Sequence, residues 1–206
     1  MLTNRLPPLP DPSPFSVAML AGGASSRMGS DKALLDVDLD GDQIGSRVLV
    51  AAILAGASDA FAVGGNAPAL QAQGWRFVAD HWPGEGPLGG LITALERSEH
   101  GTVVVLGCDH PDVDAGELAA MVRALDEVPD AIAAIPVLEG YAYVTHSVWR
   151  ASAAPLLRSV FDAGERAPSS VLRRVKWVPL AVSNVQSIAD LDTTSQLLER
   201  RQSARR

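Results

Sequence analysis

Val103-Val104-Val105-Leu106 is an unbroken apolar run bounded by Gly101-Thr102 and Gly107. A strand with one wet face alternates polar and apolar residues, so a run without alternation is a strand covered on both faces. Other short apolar segments with strand character lie at 16–20, 60–63, 76–78, 131–137, 143–145 and 176–182. Between them, apolar residues recur at helical spacing over 44–55, 88–97, 115–125, 148–162, 169–174 and 187–201. Alternation of strand and helix predicts an α/β fold, a three-layer α/β/α sandwich around a Rossmann-like, mostly parallel sheet. In such sheets ligands bind in the loops that follow the carboxyl ends of strands. The chemistry is therefore sought just after each predicted strand.

The 206 residues amount to about one domain on a prior of roughly 150 residues each. There is no internal repeat and no linker that splits the chain. A single domain is expected over 15–200, after a Pro-rich, extended or disordered lead-in at 1–14 that carries Pro7, Pro8, Pro10, Pro12 and Pro14. Residues 201–206 read as a basic tail, and Arg200, Arg201, Arg205 and Arg206 as a frayed, solvated helix end. Hydrophobic residues at 47% and charged residues at 20% exclude a disordered chain and a coiled coil. No apolar run approaches the roughly 20 residues of a membrane span. With 17 Lys and Arg against 24 Asp and Glu the net charge is −7, which argues against nucleic-acid binding over the whole surface. A polyphosphate would have to be held by a local device. The single cysteine, Cys108, excludes an internal disulfide. With no basic and long apolar stretch at the start, this predicts a cytoplasmic protein without a signal peptide.

The first predicted strand runs into Leu20-Ala21-Gly22-Gly23-Ala24-Ser25-Ser26-Arg27-Met28-Gly29-Ser30-Asp31-Lys32. Adjacent glycines let a backbone approach a ligand closely, and successive N–H groups can cradle phosphate oxygens. Arg27 and Lys32 supply local positive charge, Arg27 able to grip phosphate bidentately and Lys32 acting as a mobile point charge. The spacing is neither that of a Walker loop nor of a dinucleotide-binding fingerprint. Two glycines and two cations directly after a buried strand point to phosphate binding rather than to a plain connector.

Leu-Ala-Gly-Gly, then Ser-x-Arg-Met-Gly, then Asp-Lys resembles the nucleotide loop of nucleotidyltransferases, and 20–35 is most similar to the molybdenum cofactor guanylyltransferases. The resemblance is clear over 16–112. It implies the nucleotide-diphospho-sugar transferase type of fold, and it implies that Leu20, Ala21, Gly22 and Gly23 wrap the base and phosphates while Lys32 lies on the phosphates. Arg27 and Lys32 are then the catalytic cations. It implies GTP and molybdopterin as substrates and Mg²⁺ as cofactor, with transient contact with molybdoenzymes or cofactor-carrying proteins.

The later loops carry further parts of the same resemblance. Gly64-Gly65-Asn66 reads on its own as a turn, and the resemblance makes Asn66 a nucleotide contact. Gly84, Gly86 and Gly89 match a Gly-x-Gly-x-x-Gly string, but Pro87 interrupts it and the loop feeds a helix instead. Gly-Pro-Leu-Gly-Gly is similar to the family's segment, and the aspartate before it, Asp80, becomes the group that accepts hydrogen bonds from N1–H and the amino group of guanine. Asp109 ends the most buried strand, in Gly107-Cys108-Asp109-His110-Pro111-Asp112, and the resemblance makes it a nucleotide contact and the Mg²⁺ ligand. Asp112 reads as a cap of the next helix, His110 as a structural histidine, and Cys108 as a small buried hydrophobe.

The pattern weakens toward the end. Tyr141 and Tyr143 are equally suited to stacking on a pterin and to ordinary strand packing. Asp190-Leu191-Asp192-Thr193-Thr194 resembles a family segment that supplies a second metal contact, but lacks its proline. Metal binding and simple capping both stay open for Asp190 and Asp192. Three functions follow: GMP transfer to molybdopterin; cytidylyl transfer to that cofactor, or nucleotidyl transfer to another phosphorylated acceptor; and a nucleotide-binding module without turnover. The intact Arg27, Lys32 and Asp109 weigh against the last.

Overall fold

The computed structural model describes residues 12–22, 31–38 and 41–203. Its strands are β1 (Phe15–Leu20), β2 (Asp59–Val63), β3 (Arg76–Val78), β4 (Thr102–Gly107), β5 (Ala133–Leu138), β6 (Tyr141–Ala142), β7 (His146–Arg150) and β8 (Trp177–Ala181). Its α-helices are α1 (Ile44–Leu54), α2 (Ala67–Ala72), α3 (Pro87–Arg97), α4 (Ala115–Asp126), α5 (Ala154–Asp162) and α6 (Thr194–Ser203). The strands form one sheet in the order β3-β2-β1-β4-β7-β5-β6, with β8 beside β5. The β1–β2, β1–β4, β2–β3 and β5–β8 pairs are parallel, while β7 runs antiparallel to both β4 and β5.

Both sheet faces are covered, as the unbroken apolar run of β4 requires. Phe15, Val17 and Met19 of β1 and Val104 and Leu106 of β4 pack under α1, α4 and α6, beside Ile44, Val48, Leu118, Val122 and Leu197. The alternate residues Ala18, Leu20, Val103 and Val105 pack under α3 and α5, beside Leu88, Leu91, Leu157 and Phe161. This is the three-layer sandwich. Among the described residues no helix is long and apolar enough to cross a membrane.

Three expectations need correction. Residues 148–150 belong to β7, and helix begins only at Ala154 after a 3₁₀ turn, Ala151–Ala153. Residues 143–145 are the turn into β7 rather than a strand. Two residues of the basic end, Arg200 and Arg201, are tied down: Arg200 pairs with Asp112 and reaches Asp38, and the Arg201 guanidinium donates to the Asp36 carbonyl at 2.5 Å, while Arg205 and Arg206 lie outside the described residues. These partners clamp α6 across the molecule, since a guanidinium matches a carboxylate bidentately.

Candidate active site

Sheet register brings the predicted loops together. Leu20 pairs with Val63 on one side and with Gly107 on the other, so the loops after β1, β2 and β4 leave the sheet side by side. Because β7 is antiparallel, its entry rather than its exit lies at that edge, and the Thr145 carbonyl accepts from Gly107 N at 2.6 Å. A cavity of about 390 Å³ opens there, and Leu20, Ala21, Gly22, Lys32, Asp80 and Asp109 all line it. The two glycine turns touch: Gly64 has φ +69°, and a Cβ on it would lie 2.9 Å from Gly22 Cα.

One end of the cavity is charged. Lys32 Nζ lies 2.5 Å from Asp192 Oδ1 and 3.3 Å from Asp109 Oδ2. Each partner is fixed by its own local structure. Asp31 caps the 3₁₀ turn Lys32–Leu34 by accepting from Ala33 N at 3.1 Å, which sets the Lys32 backbone. Asp109 Oδ1 folds back over Gly107, where a Cβ would come within 2.5 Å of it and push the carboxylate aside. Thr193 and Gln196 form a capping box for α6: Gln196 N donates to Thr193 Oγ1, and Gln196 Oε1 accepts from Thr193 N and Asp192 N. Thr193 therefore does the capping, which leaves the Asp192 carboxylate to face Lys32. Leu191 N donates to the Asp109 carbonyl at 2.8 Å and docks this segment on the loop after β4. Asp190 is exposed. Burial pulls the Lys32 pKa down, but the Asp192 hydrogen bond and the charges of Asp109 and Asp192 outweigh it, and the ammonium is held above its ordinary value.

The opposite wall carries Asp80. Its Oδ1 accepts from Trp82 N at 3.1 Å and Thr93 Oγ1 at 3.0 Å, and its Oδ2 lies beside Gly22. Thr93 had no local signal: it sits four residues after Gly89 on α3 and reaches Asp80 only through packing.

The other predicted residues are placed as follows. Asn66 caps α2, its Oδ1 accepting from Ala69 N and its N–H donating to Asp31 Oδ2, and it does not line the cavity. Gly23 and Arg27 lie outside the described residues. Asp112 does not cap α4; Asp114 does, by accepting from Glu117 N, while Asp112 binds Arg200. Cys108 lines the cavity, but burial pushes its thiol up to about 12, so it is no nucleophile at neutral pH. His110 is buried with its ring edge against His146 at 5.1 Å, and its Nε2 is 3.5 Å from Asp109 Oδ1. A second cavity of about 800 Å³ adjoins the first through Pro87 and Thr145, and Tyr141 and Arg166 line it. Tyr141 sits past the Glu139-Gly140 turn, its ring 4.9 Å from that of Tyr143.

A family model described as the MobA-like NTP transferase domain matches residues 17–179. The chain is 35% identical over 170 residues to a probable molybdenum cofactor guanylyltransferase of Chloroflexus aggregans, covering 80% of this chain and 79% of the relative. It is 33% identical over 168 residues to a molybdenum cofactor guanylyltransferase of Pseudomonas putida, covering 78% and 83%. Among solved structures, the molybdopterin-guanine dinucleotide biosynthesis protein A of Archaeoglobus fulgidus superposes with a TM-score of 0.75 at 24% identity, covering 92% of this chain and 98% of that one. The 2-C-methyl-D-erythritol 4-phosphate cytidylyltransferase of Thermus thermophilus superposes with a TM-score of 0.69 at 15% identity, covering 92% and 98%. At these identities the two solved structures speak to the fold.

Proposed function

The chain belongs to the MobA-like NTP transferase family, and on that premise we propose that it transfers GMP from GTP to the terminal phosphate of molybdopterin with release of pyrophosphate, using Mg²⁺. The observation that carries the reading is a single cavity with a carboxylate, Asp80, on one wall and Asp109 with Lys32 on the other, Lys32 being paired in turn with Asp192. The first suits the paired donors of guanine, and the second suits a triphosphate and its counter-ion.

The residues fit Mg²⁺. Among the described residues no group of three His, Cys, Asp or Glu side chains could hold a metal. Mg²⁺ asks for less, taking one or two protein carboxylates and completing its shell with phosphate oxygens and water. Asp109 and Asp192 would hold it. When bound it would neutralise the triphosphate and the departing pyrophosphate.

The chain's own groups do the rest. Asp80, fixed by Thr93 and Trp82 N–H, accepts from the guanine edge. The backbone of Ala21 and Gly22, which line the cavity, lies along the nucleotide. The adjoining cavity takes the acceptor, with Tyr141 offering a ring face and Arg166 a cation. An oxygen of the acceptor phosphate attacks the α-phosphorus, and the bond from that phosphorus to the β-phosphate oxygen breaks in line. Arg27 and Lys32 offset the charge that moves onto the leaving group.

Pyrophosphate release measured with GTP and with CTP, each with and without molybdopterin and Mg²⁺, tests this. Release is expected only with GTP, molybdopterin and Mg²⁺ together. Release with CTP but not GTP would replace the reading with cytidylyl transfer, and nucleotide binding without release under any condition would make the chain a binding module.

A further inference from the structure

Lys32 is placed where a metal ion would be. Its ammonium lies within hydrogen-bond reach of Asp192 Oδ1 and Asp109 Oδ2 and its side chain is 14% exposed, although 160 and 77 residues separate it from those partners. Two carboxylates facing one gap repel unless a cation lies between them. Lys32 brings one positive charge to these two carboxylates, where a divalent cation would bring two. Adding a dication while the ammonium stays would set two cations against each other at contact distance.

We propose that Lys32 is a built-in placeholder for the metal: in the substrate-free protein its ammonium holds Asp109 and Asp192, and a divalent cation arriving with the nucleotide displaces it onto the phosphates. The proposal rests on the nucleotidyl-transfer reading for the phosphates that receive Lys32. The Asp31 cap holds the backbone of this residue, so the four-carbon stem alone makes the move. Lys32 lines the cavity as well as the carboxylate pair, so both destinations are within its surroundings. Metal and nucleotide are then coupled through one side chain: each releases the partner that the other needs, and the coupling is reciprocal.

The chain is suited to a direct test because Lys32 and Lys176 are its only lysines, and Lys176 is an exposed partner of Asp130. With ¹⁵N-labelled lysine, the Lys32 Nζ resonance is expected to move when Asp192→Asn is introduced, and to move again in the wild type on saturation with Mg²⁺ and a non-hydrolysable GTP analogue. The Lys176 resonance stays as reference. A Lys32 resonance unchanged by saturating Mg²⁺ and analogue overturns the proposal. In a second arm, Mn²⁺ binding to nucleotide-free protein is read from the loss of the free-ion EPR signal. Lys32→Met is expected to bind about 10–100-fold tighter than wild type, the range for a charge-assisted hydrogen bond that no longer has to be broken. The gain should vanish when Asp109→Asn is added. No gain, or a gain that survives Asp109→Asn, overturns the proposal. The Mn²⁺ arm uses no nucleotide, so it stands apart from pyrophosphate release: a wild type that fails to release pyrophosphate sinks the transfer reading alone.

Discussion

Thr93 Oγ1 lies 3.0 Å from Asp80 Oδ1 and holds that carboxylate against the wall of the cavity that Lys32 and Asp109 also line. The hydroxyl has one proton and two acceptors in reach, Asp80 Oδ1 and Gly89 O at 3.1 Å, and the carboxylate is the stronger. It also accepts from His81 N at 3.2 Å, so Thr93 ties three segments together. Thr93→Val keeps the shape and removes these bonds. Loss of one hydrogen bond to a charged group costs about 1.5 kcal/mol, so the KM for GTP should rise about tenfold with kcat nearly unchanged. An unchanged KM would show that Asp80 needs no such support.

Asp80→Asn tests base recognition itself. The amide oxygen still accepts one hydrogen bond, but the NH₂ group now faces a donor edge. Discrimination for GTP over CTP, read as the ratio of kcat/KM values, should fall by about 10²-fold, since a polar pocket rejects mismatched partners strongly. The fold should survive, because Asp80 is only half-buried. Retained discrimination would move guanine recognition elsewhere in the cavity.

Legibility in the sequence followed how local the causes were. β1, β2 and β4 are short apolar runs that end at a glycine or within two residues of one, and β3 is a short run two residues after Gly74; each was readable. β7 was not, because Val148, Trp149 and the alanines that follow run into α5 without a glycine, and only Pro155 marks the true helix start. α2 has six residues, too few for a period to show. Lys32, Asp80 and Asp109 were legible as loop residues after strands and come together at one cavity. Asp192 could be weighed but not chosen. Its orientation depends on Thr193 and Gln196 taking over the cap, and on Leu191 docking on Asp109, a contact across 82 residues from 109 to 191. Arg200 and Arg201 looked like a tail because their partners Asp36, Asp38 and Asp112 are equally remote.

Gly64→Ala probes the contact between the two glycine turns. Alanine at φ +69° is strained by about 1–3 kcal/mol, and its Cβ would meet Gly22 Cα at 2.9 Å and Gly22 N at 3.1 Å. Both neighbours are backbone and cannot swing away. Thermal denaturation should show a loss of about 2–4 °C per kcal/mol, and the KM for GTP should rise because Gly22 is displaced. An unchanged Tm and KM would separate the two turns.

His146 gives the fold a pH dependence. Burial, with a smaller contribution from the neighbouring His110, pushes its pKa down to about 3. An unfolded histidine titrates near 6.5, so below that pH the unfolded chain takes up a proton that the folded chain refuses. Stability from this residue is fully present above about pH 6.5 and falls by about 1.4 kcal/mol per unit as the pH drops toward 3. His146 lines an apolar cavity with Met121 and Leu180, so leucine can take its place. Denaturant melts of wild type and His146→Leu at pH 7 and pH 5 should differ by about 2 kcal/mol in their pH response, the variant being the flatter. Parallel responses would show that His146 is protonated in the fold.

The last prediction divides the work between Arg27 and Lys32. Negative charge builds on the bridging oxygen and the departing phosphates as the bond to the α-phosphorus breaks, and positioning and charge stabilisation carry the catalysis. Lys32, released from Asp109 and Asp192, is expected at the α-phosphate between donor and acceptor, where its contact strengthens as the reaction proceeds. Arg27, with its bidentate fork, is expected on the β- and γ-phosphates, where it binds the ground state as well. Losing one such contact costs on the order of 2–4 kcal/mol in the transition state, about 10²–10³ in rate. Lys32→Ala should therefore lower kcat far more than it raises the KM for GTP, while Arg27→Ala should impair both. Steady-state kinetics of the two variants decides it: a Lys32→Ala enzyme altered only in KM would make Lys32 a ground-state binder, and an Arg27→Ala enzyme altered only in kcat would exchange the two roles.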